Sequence, residues 1–331
     1  MIPLRRDYFL ALHLQAEWVY DILRGMTGGM NVKSIFIVNP VSGKGRSLKF
    51  IPLIEEYFVK NPSDYEIIRT ERPGHARKIA ARYHSEDDVI IYSVGGDGTA
   101  NEILNGLNDG VGFCVFPAGT GNDLYKSIDT RKLSDEELVR GLLEGEDISI
   151  DYGVFNGSRK FMNVSSFGID AEINIYACDY VKQKYNMPGS IVYAYSALVV
   201  GTHPKNFHMD LTVDGKKYSR ESVLVAICNG SKYGGCFTPS PDADMTDGLF
   251  DICFFNGPIK LSQFFRIIVK YLKGNHLHEK ECEFMQGRKL EMKFDRPVAL
   301  QVDGENTHLQ EAVIEIVPGG LKLRVPRNRA R

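Results

Sequence analysis

Gly95-Gly96-Asp97-Gly98-Thr99 is the densest chemical segment of this sequence. It stands directly after the apolar run DVIIYSV (88–94) and directly before NEILNGL (101–107), whose apolar spacing predicts a helix. Glycines let main-chain N–H groups approach a phosphate closely, and a helix N-terminus favours negative charge. Asp97 adds a carboxylate beside that position, which suits a magnesium ion lying between it and the phosphates. Thr99 and Glu102 have the spacing of a capping box, which would define the helix start. The competing reading is a tight glycine turn in which Asp97 bonds locally.

Two more loops occupy equivalent places. Asn39-Pro40-Val41-Ser42-Gly43-Lys44-Gly45 ends the run IFIVNP (35–40), and Pro117-Ala118-Gly119-Thr120-Gly121-Asn122-Asp123 ends FCVFP (113–117). Either alone is an ordinary glycine turn; three at strand ends point to one ligand-binding edge. Lys44 offers a point charge to a phosphate or a lipid head group, and Thr70, closing EIIRT (66–70), completes the row. Neither GxxxxGK[ST] nor GxGxxG is present, which excludes a P-loop and a dinucleotide cradle. Farther on, PDADMTDGL (241–249) brings Asp242, Asp244 and Asp247 close together. Such a turn can hold a hard cation through carboxylate and backbone oxygens, or can be a solvated acidic hairpin. Gln301-Val302-Asp303-Gly304-Glu305 sets two carboxylates around a glycine, again with a plain Asp-Gly turn as the alternative.

These loops need elements to hold them. From Val32 to Ile128 the sequence alternates strand and helix, with helices expected at about 47–59 and 76–83 besides the one after Asp97. That alternation predicts a doubly wound parallel sheet. Ser134 and Glu137 form a second capping-box pattern, opening a helix to about Leu143. Beyond Ile148 short alternating segments separated by Gly, Asp and Asn predict a β-rich, sandwich-like domain with one helix near 259–273. Asp214-Gly215 marks a hairpin. The fold class is therefore α/β plus all-β, divided as an extension (1–31), a nucleotide-binding domain (32–130) and a β-sandwich domain (131–326). The last strand is a candidate to return to the first domain.

Composition narrows the function. The 331 residues carry a formal charge of −2, which argues against a nucleic-acid coat. The six cysteines are scattered without a CxxC pair and read as ordinary buried thiols in a reducing, cytoplasmic setting. No HExxH occurs, and His276 and His278 lie in a charged stretch that reads as a solvated loop, so a zinc enzyme is not expected. The most apolar run, Ile191–Val200, is too short to span a bilayer. Residues 8–24 could form an amphipathic helix with no cleavage pattern after it, and Met30 leaves an overlong start-site assignment open.

NPVSGKG, GGDGTANEILNGL, FPAGTGNDL, NVSSFGIDAEI, PDADMTDGLFD and QVDGE together resemble, in order, the motifs of the diacylglycerol kinase catalytic-domain family, most closely its bacterial soluble lipid kinases. The resemblance runs from about Val32 to Pro326. GGDGT alone is shared with NAD kinases and phosphofructokinases; the other motifs favour the lipid kinases. The resemblance implies ATP as co-substrate, bound by Asn39, Pro40, Val41, Ser42, Gly43, Thr70, Gly95, Gly96, Asp97, Gly98, Thr99, Ala100, Asn101 and Thr120. It implies a structural Mg2+ held by Asp247 with backbone oxygens near Asp244 and Leu249. At position 244 the family often shows a hydroxyl residue where this chain has Asp. It also implies Glu305 as proton acceptor, Asp303 orienting it or a metal-bound water, and a second domain that receives the lipid.

A lipid substrate demands peripheral contact with a membrane surface, for which Lys44, Lys49, Lys182 and Lys184 are candidate anchors. An NAD kinase-like phosphotransferase and a catalytically silent nucleotide or lipid sensor are the alternatives. The acceptor among diacylglycerol, phosphatidylglycerol, a sphingoid base and a polyprenol stays open, as does a homodimer.

Overall fold

The computed structural model describes residues 32–181, 189–234 and 237–329. The helix expected at 8–24, Lys182, Lys184 and Cys236 lie outside them.

Four strands whose centres are apolar on both faces come first: β1 (Lys33–Val38), β2 (Tyr65–Arg69), β3 (Val89–Gly95) and β4 (Gly112–Pro117). They pair in parallel in the order β2-β1-β3-β4. The crossovers carry α1 (Arg46–Lys60), α2 (His75–Ala80) and α3 (Asp97–Leu104). α4 (Asp123–Ile128) and α5 (Asp135–Leu143) follow β4. Two separate apolar layers result. Ile37, Ile79, Ile91, Ile103 and Phe113 fill one face of the sheet, and Phe36, Phe50, Ile54, Tyr92, Phe116 and Leu138 fill the other. Burial on both faces explains why β3 reads as a continuous apolar run rather than an alternating one.

The second half is built from β5 (Glu146–Phe155), β6 (Arg159–Phe161), β7 (Val164–Gly168), β8 (Phe207–Val213), β9 (Lys216–Cys228), β10 (Phe250–Asn256), β11 (Cys282–Gly287), β12 (Lys289–Val302) and β13 (Glu305–Val325). All pair antiparallel except β13 with β4. Alternation along β8 and β12 sends Met209, Leu211, Met292 and Phe294 into one interior, where they meet Phe167, Phe250 and Phe254. Each fully buried Phe contributes roughly 1.5–3 kcal/mol relative to exposure.

The sequence anticipated a single helix here. Three α-helices are present among the described residues: α6 (Ile169–Tyr176), α7 (Gly189–Gly201) and α8 (Leu261–Leu272), the last where the sequence placed its helix. Together they cover the outer face of β7, β9 and β10 through Ile173, Val223, Leu224, Phe255, Phe264 and Ile267. The sequences of α6 and α7 are as compatible with a buried strand as with a helix, so periodicity alone does not separate them.

The two halves share one sheet. β13 begins in the sandwich against β12, and its C-terminal end lies parallel to β4, with Leu323 opposite Phe113. β5 runs antiparallel to β13 over the same stretch. Arg324 on β13 pairs with Asp147 on β5 at 2.7 Å, which fixes that register next to the parallel strands.

Candidate active site

The three glycine-containing loops meet at the carboxyl ends of β1, β3 and β4. The side-chain amide of Asn39 donates to Thr99 Oγ1 at 3.0 Å, joining the first loop to α3. Gly43 lies so close to the Ala118 carbonyl that an added Cβ would stand 2.3 Å from its oxygen. A Cβ on Gly119 would come within 2.4 Å of Gly96 Cα, so the second and third loops touch backbone to backbone. Positive φ at Gly43 (56°), Lys44 (57°) and Gly45 (90°) turns the first loop sharply into α1.

Asp97 binds the third loop. Its Oδ2 accepts from the Asn122 N–H at 2.7 Å and its Oδ1 from the Asp123 N–H at 2.6 Å. The Asn122 side chain closes the loop on itself, accepting from the Gly119 N–H at 2.7 Å and donating to the Gly119 carbonyl at 3.0 Å.

The expected capping box of Thr99 and Glu102 does not form. Gly96 is the N-cap and makes no side-chain cap. Thr99 instead receives Asn39, and Glu102 accepts from the Gly74 N–H at 2.9 Å, steadying the turn between β2 and α2. Thr70 N–H bonds the Val38 carbonyl at 2.9 Å, which keeps Thr70 beside the first loop. Lys44 and Thr120 are exposed on the rim.

The sandwich brings its own carboxylates to this edge. Asp303 and Gly304, with φ of 42° and 89°, form the tight turn between β12 and β13. Asp303 turns inward and accepts from the N–H groups of Met162 (2.8 Å), Asn163 (3.2 Å) and Val164 (3.3 Å). Its hydrogen bonds therefore go to that backbone and not to Glu305. Burial pushes its pKa up to about 6 despite those three donors, and the Asp97 carboxylate adds to the rise, so the two acids share one electrostatic neighbourhood.

Glu305 is the exposed partner, with 68% of its side chain accessible, and its Oε2 lies 2.8 Å from Arg159 Nη2. Arg159 also donates to the Val302 carbonyl at 3.0 Å, so it grips both sides of the turn. Beside it in β6, the Lys160 N–H donates to Asn105 Oδ1, and Asn105 Nδ2 returns a bond to the Lys160 carbonyl, each at 2.9 Å. The helix carrying Asp97 is thereby tied to the strand that precedes the Asp303 cradle.

The acidic turn at 241–249 is organised by a residue the sequence did not single out. Asp151, 1% exposed on β5, accepts from the Gly248 N–H at 2.7 Å and the Gly319 N–H at 2.6 Å. Asp244 Oδ1 takes both the N–H and the hydroxyl of Thr246, and Asp247 Oδ1 takes the Leu249 N–H at 2.9 Å. Burial raises the Asp247 pKa, and the charges of Asp251, Asp244 and Asp151 push it further. Arg159 and Asp151 have no motif around them, and Asn105 lies inside GGDGTANEILNGL with no role marked by it. β5 also carries Glu146, Asp147 and Ser149, so nothing in its local sequence marks Asp151.

A groove of about 640 Å³ lined by β8, β9, β12 and β13 includes none of these residues. On the outer layer, Ile191, Tyr195 and Leu198 of α7 are about half exposed and recur at helical spacing. Val269 and Leu272 of α8 add to the exposed apolar surface. No helix among the described residues is long and apolar enough to cross a membrane.

Comparison with known proteins agrees with this architecture. Residues 33–155 match the diacylglycerol kinase catalytic domain, and residues 163–325 match the YegS C-terminal NAD kinase beta sandwich-like domain. The chain is 24% identical over 272 residues to the diacylglycerol kinase of Bacillus subtilis (strain 168), covering 81% of this chain and 88% of that one. It is 24% identical over 283 residues to the diacylglycerol kinase of Staphylococcus carnosus (strain TM300), covering 83% and 89%. A crystal structure of a diacylglycerol kinase from Bacillus anthracis str. Sterne superposes with a TM-score of 0.68 at 22% identity, over 90% of this chain and 98% of that one, which shows the shared fold. With both domains matched in order and the glycine loops meeting on one sheet edge, the chain pairs a diacylglycerol kinase catalytic domain with a YegS-type C-terminal domain.

Proposed function

We propose that this chain transfers the γ-phosphate of ATP to a lipid hydroxyl, with diacylglycerol as the acceptor and phosphatidic acid as the product. The observation that carries the reading is the double hydrogen bond of Asp97 to the Asn122 and Asp123 N–H groups, which draws two glycine turns together in the electrostatic neighbourhood of Asp303. Phosphoryl transfer needs positioning and charge stabilisation more than covalent chemistry. The first N–H groups of α3, on Asp97 and Gly98, together with those of Gly43, Thr120 and Gly121, are the donors for the phosphates. The N–H groups of Asn39, Val41, Ser42, Thr99 and Gly119 already bond elsewhere in the chain. The lipid oxygen attacks the γ-phosphorus, its bond to the β–γ bridging oxygen breaks, and ADP leaves. Glu305 takes the hydroxyl proton; its exposure lets it meet a substrate, and the ion pair with Arg159 orients it. Asp303 is a positioning residue that locks the turn carrying Glu305 onto the 162–164 backbone.

Magnesium fits the acidic turn by the chemistry of its donors. Burial, and after it the charges of Asp251, Asp244 and Asp151, raise the Asp247 pKa, and a hard cation would offset that charge. No three carboxylates among the described residues converge to ligand spacing there, so Asp247 would share the ion with backbone oxygens near Asp244 and Leu249. Bound there, the ion supplies charge that steadies the turn.

The half-exposed apolar face of α7 supports lipid approach from a membrane surface, with Lys44 and Lys49 exposed on the other domain. The test is transfer of labelled γ-phosphate from Mg-ATP to a panel of dispersed lipids, with NAD as a control acceptor. Labelled phosphatidic acid is expected. Label on NAD alone would move the reading to a soluble nucleotide, and no labelled product would leave a binding protein.

A further inference from the structure

His276 was expected in a solvated loop, but it is fully buried. Its ring packs edge-on against Tyr271 at 4.7 Å and Phe255 at 5.6 Å. Nε2 lies 3.0 Å from the Pro239 carbonyl oxygen. A carbonyl can only accept, so Nε2 carries the proton and Nδ1 is left with a bare lone pair. That Nδ1 is buried and has no hydrogen-bond partner. An acceptor sealed away from water without a donor is costly, and natural interiors seldom keep one without a reason.

Two thiols supply the reason. In the β10–β11 ladder Cys253 stands opposite Phe284 and Phe255 opposite Cys282, so the two cysteines are diagonal neighbours on one face. Their sulfurs are 3.6 Å apart, and a ring nitrogen of His276 lies with both sulfurs inside a 4.8 Å cluster. Cys253 is fully buried and Cys282 is half-buried.

We propose that Cys253, Cys282 and His276 Nδ1 bind a zinc ion that acts as a structural cross-link. Two thiolates and an imidazole form a donor set suited to zinc rather than to magnesium. The sulfur separation is close to the ~3.8 Å edge of a tetrahedron with metal–sulfur bonds of ~2.3 Å. The Nε2–H bond to a backbone carbonyl is the arrangement that orients a metal-ligating imidazole and fixes its tautomer. On binding, two metal–sulfur bonds form and both thiol protons pass to solvent. The ion's charge is thereby balanced by two thiolates, leaving no net charge in the interior. Cys282, the ligand nearest solvent, marks the side on which water completes the coordination.

The three ligands come from β10, β11 and the loop after α8. That loop also packs Gly274 against Thr238 and Pro241, at the entrance to the acidic turn. The cross-link therefore braces the segment leading to Asp244 and Asp247, away from the phosphate loops.

The test uses the full chain, purified without a metal-affinity tag, under reducing conditions and without chelator. Elemental analysis should find a stoichiometric equivalent of zinc. Cobalt added to the metal-stripped protein should give thiolate-to-metal charge-transfer absorption together with tetrahedral ligand-field bands. Cys282→Ser, an isosteric change at a half-buried position, should weaken cobalt binding at least tenfold and remove much of the thiolate absorption. A zinc chelator should lower the melting temperature of the wild type and leave that of Cys282→Ser unchanged. Three results would overturn the proposal: no thiolate–cobalt absorption, equal zinc content and absorption in Cys282→Ser, or loss of two hydrogens from the mass in air with both thiols blocked, which marks a disulfide instead. None of these readouts uses kinase activity, so failure here is distinct from failure of the lipid kinase reading.

Discussion

The carboxylate of Asp97 accepts a 2.6 Å hydrogen bond from the backbone N–H of Asp123, so the turn after β3 is held by the N-terminus of the helix after β4. With the companion bond to Asn122, both carboxylate oxygens are engaged before any substrate arrives. Asp97 shapes the phosphate-binding edge as well as charging it.

Asp97→Ala should therefore affect both activity and stability. Each charge-assisted hydrogen bond lost is worth ~1.5–3 kcal/mol, so the melting temperature should fall by several degrees. Lipid phosphorylation should fall by at least ~10²-fold, as when a preorganised electrostatic contact is removed. Turnover within a few-fold of wild type would show that the third loop keeps its shape without this carboxylate and that Asp97 is dispensable.

Glu305→Gln should separate chemistry from folding. The side chain is exposed and its ion pair with Arg159 is partly solvated, so thermal stability should hardly change. Loss of a general base should lower kcat by ~10²–10⁴-fold with little effect on ATP binding. Arg159→Met should give a smaller loss of kcat. Kinetics and ATP-binding calorimetry on both variants check the order, and equal kcat in Glu305→Gln and wild type would remove Glu305 from the mechanism.

The contribution of two buried acids to stability should decrease as the pH is raised from about 4 to about 7, opposed by buried His276, whose pKa burial pulls down to about 4. Burial pushes the pKa of Asp170, which accepts from Tyr233 Oη at 2.6 Å, up to about 6, and that of Asp303 likewise up to about 6. A folded-state pKa above the unfolded value means the folded chain binds more protons in this window. The contribution is full below the unfolded pKa and is lost as pH rises through the folded one. Each group accounts for up to about 3 kcal/mol. Asp170→Asn should shift the slope of denaturation free energy against pH towards more positive values between about pH 4 and 6, and an unchanged slope would remove Asp170 as a source.

Millimolar magnesium should raise the melting temperature of the wild type by mass action on the folded state, by ~2.7 kcal/mol at a hundred times the dissociation constant. Asp247→Asn should abolish most of that rise in the absence of ATP. A magnesium response identical in the two proteins would place the ion elsewhere.

Features set by neighbours in the chain were legible from the sequence alone. The Ser134–Glu137 capping box forms as its spacing required, with both reciprocal bonds present. Asp214-Gly215 and Asp303-Gly304 both adopt positive φ, as two-residue hairpins demand. The strand–loop–helix order around Gly95 to Thr99 followed from apolar periodicity and glycine placement, which are local properties.

Only the tertiary structure decided where polar side chains spend their hydrogen bonds. Thr99 and Glu102 had the spacing of a capping box, yet Asn39, 60 residues away, and Gly74, 28 residues away, took them instead. Arg159 reached Glu305, and Asp151 reached Gly248 and Gly319, through contacts no motif encodes. His276 looked solvated because its sequence neighbours are charged, and it was buried because Tyr271 and Phe255 close over it. A short-range pattern determines an element's type, whereas the partner of a side chain depends on which distant strands the fold sets side by side.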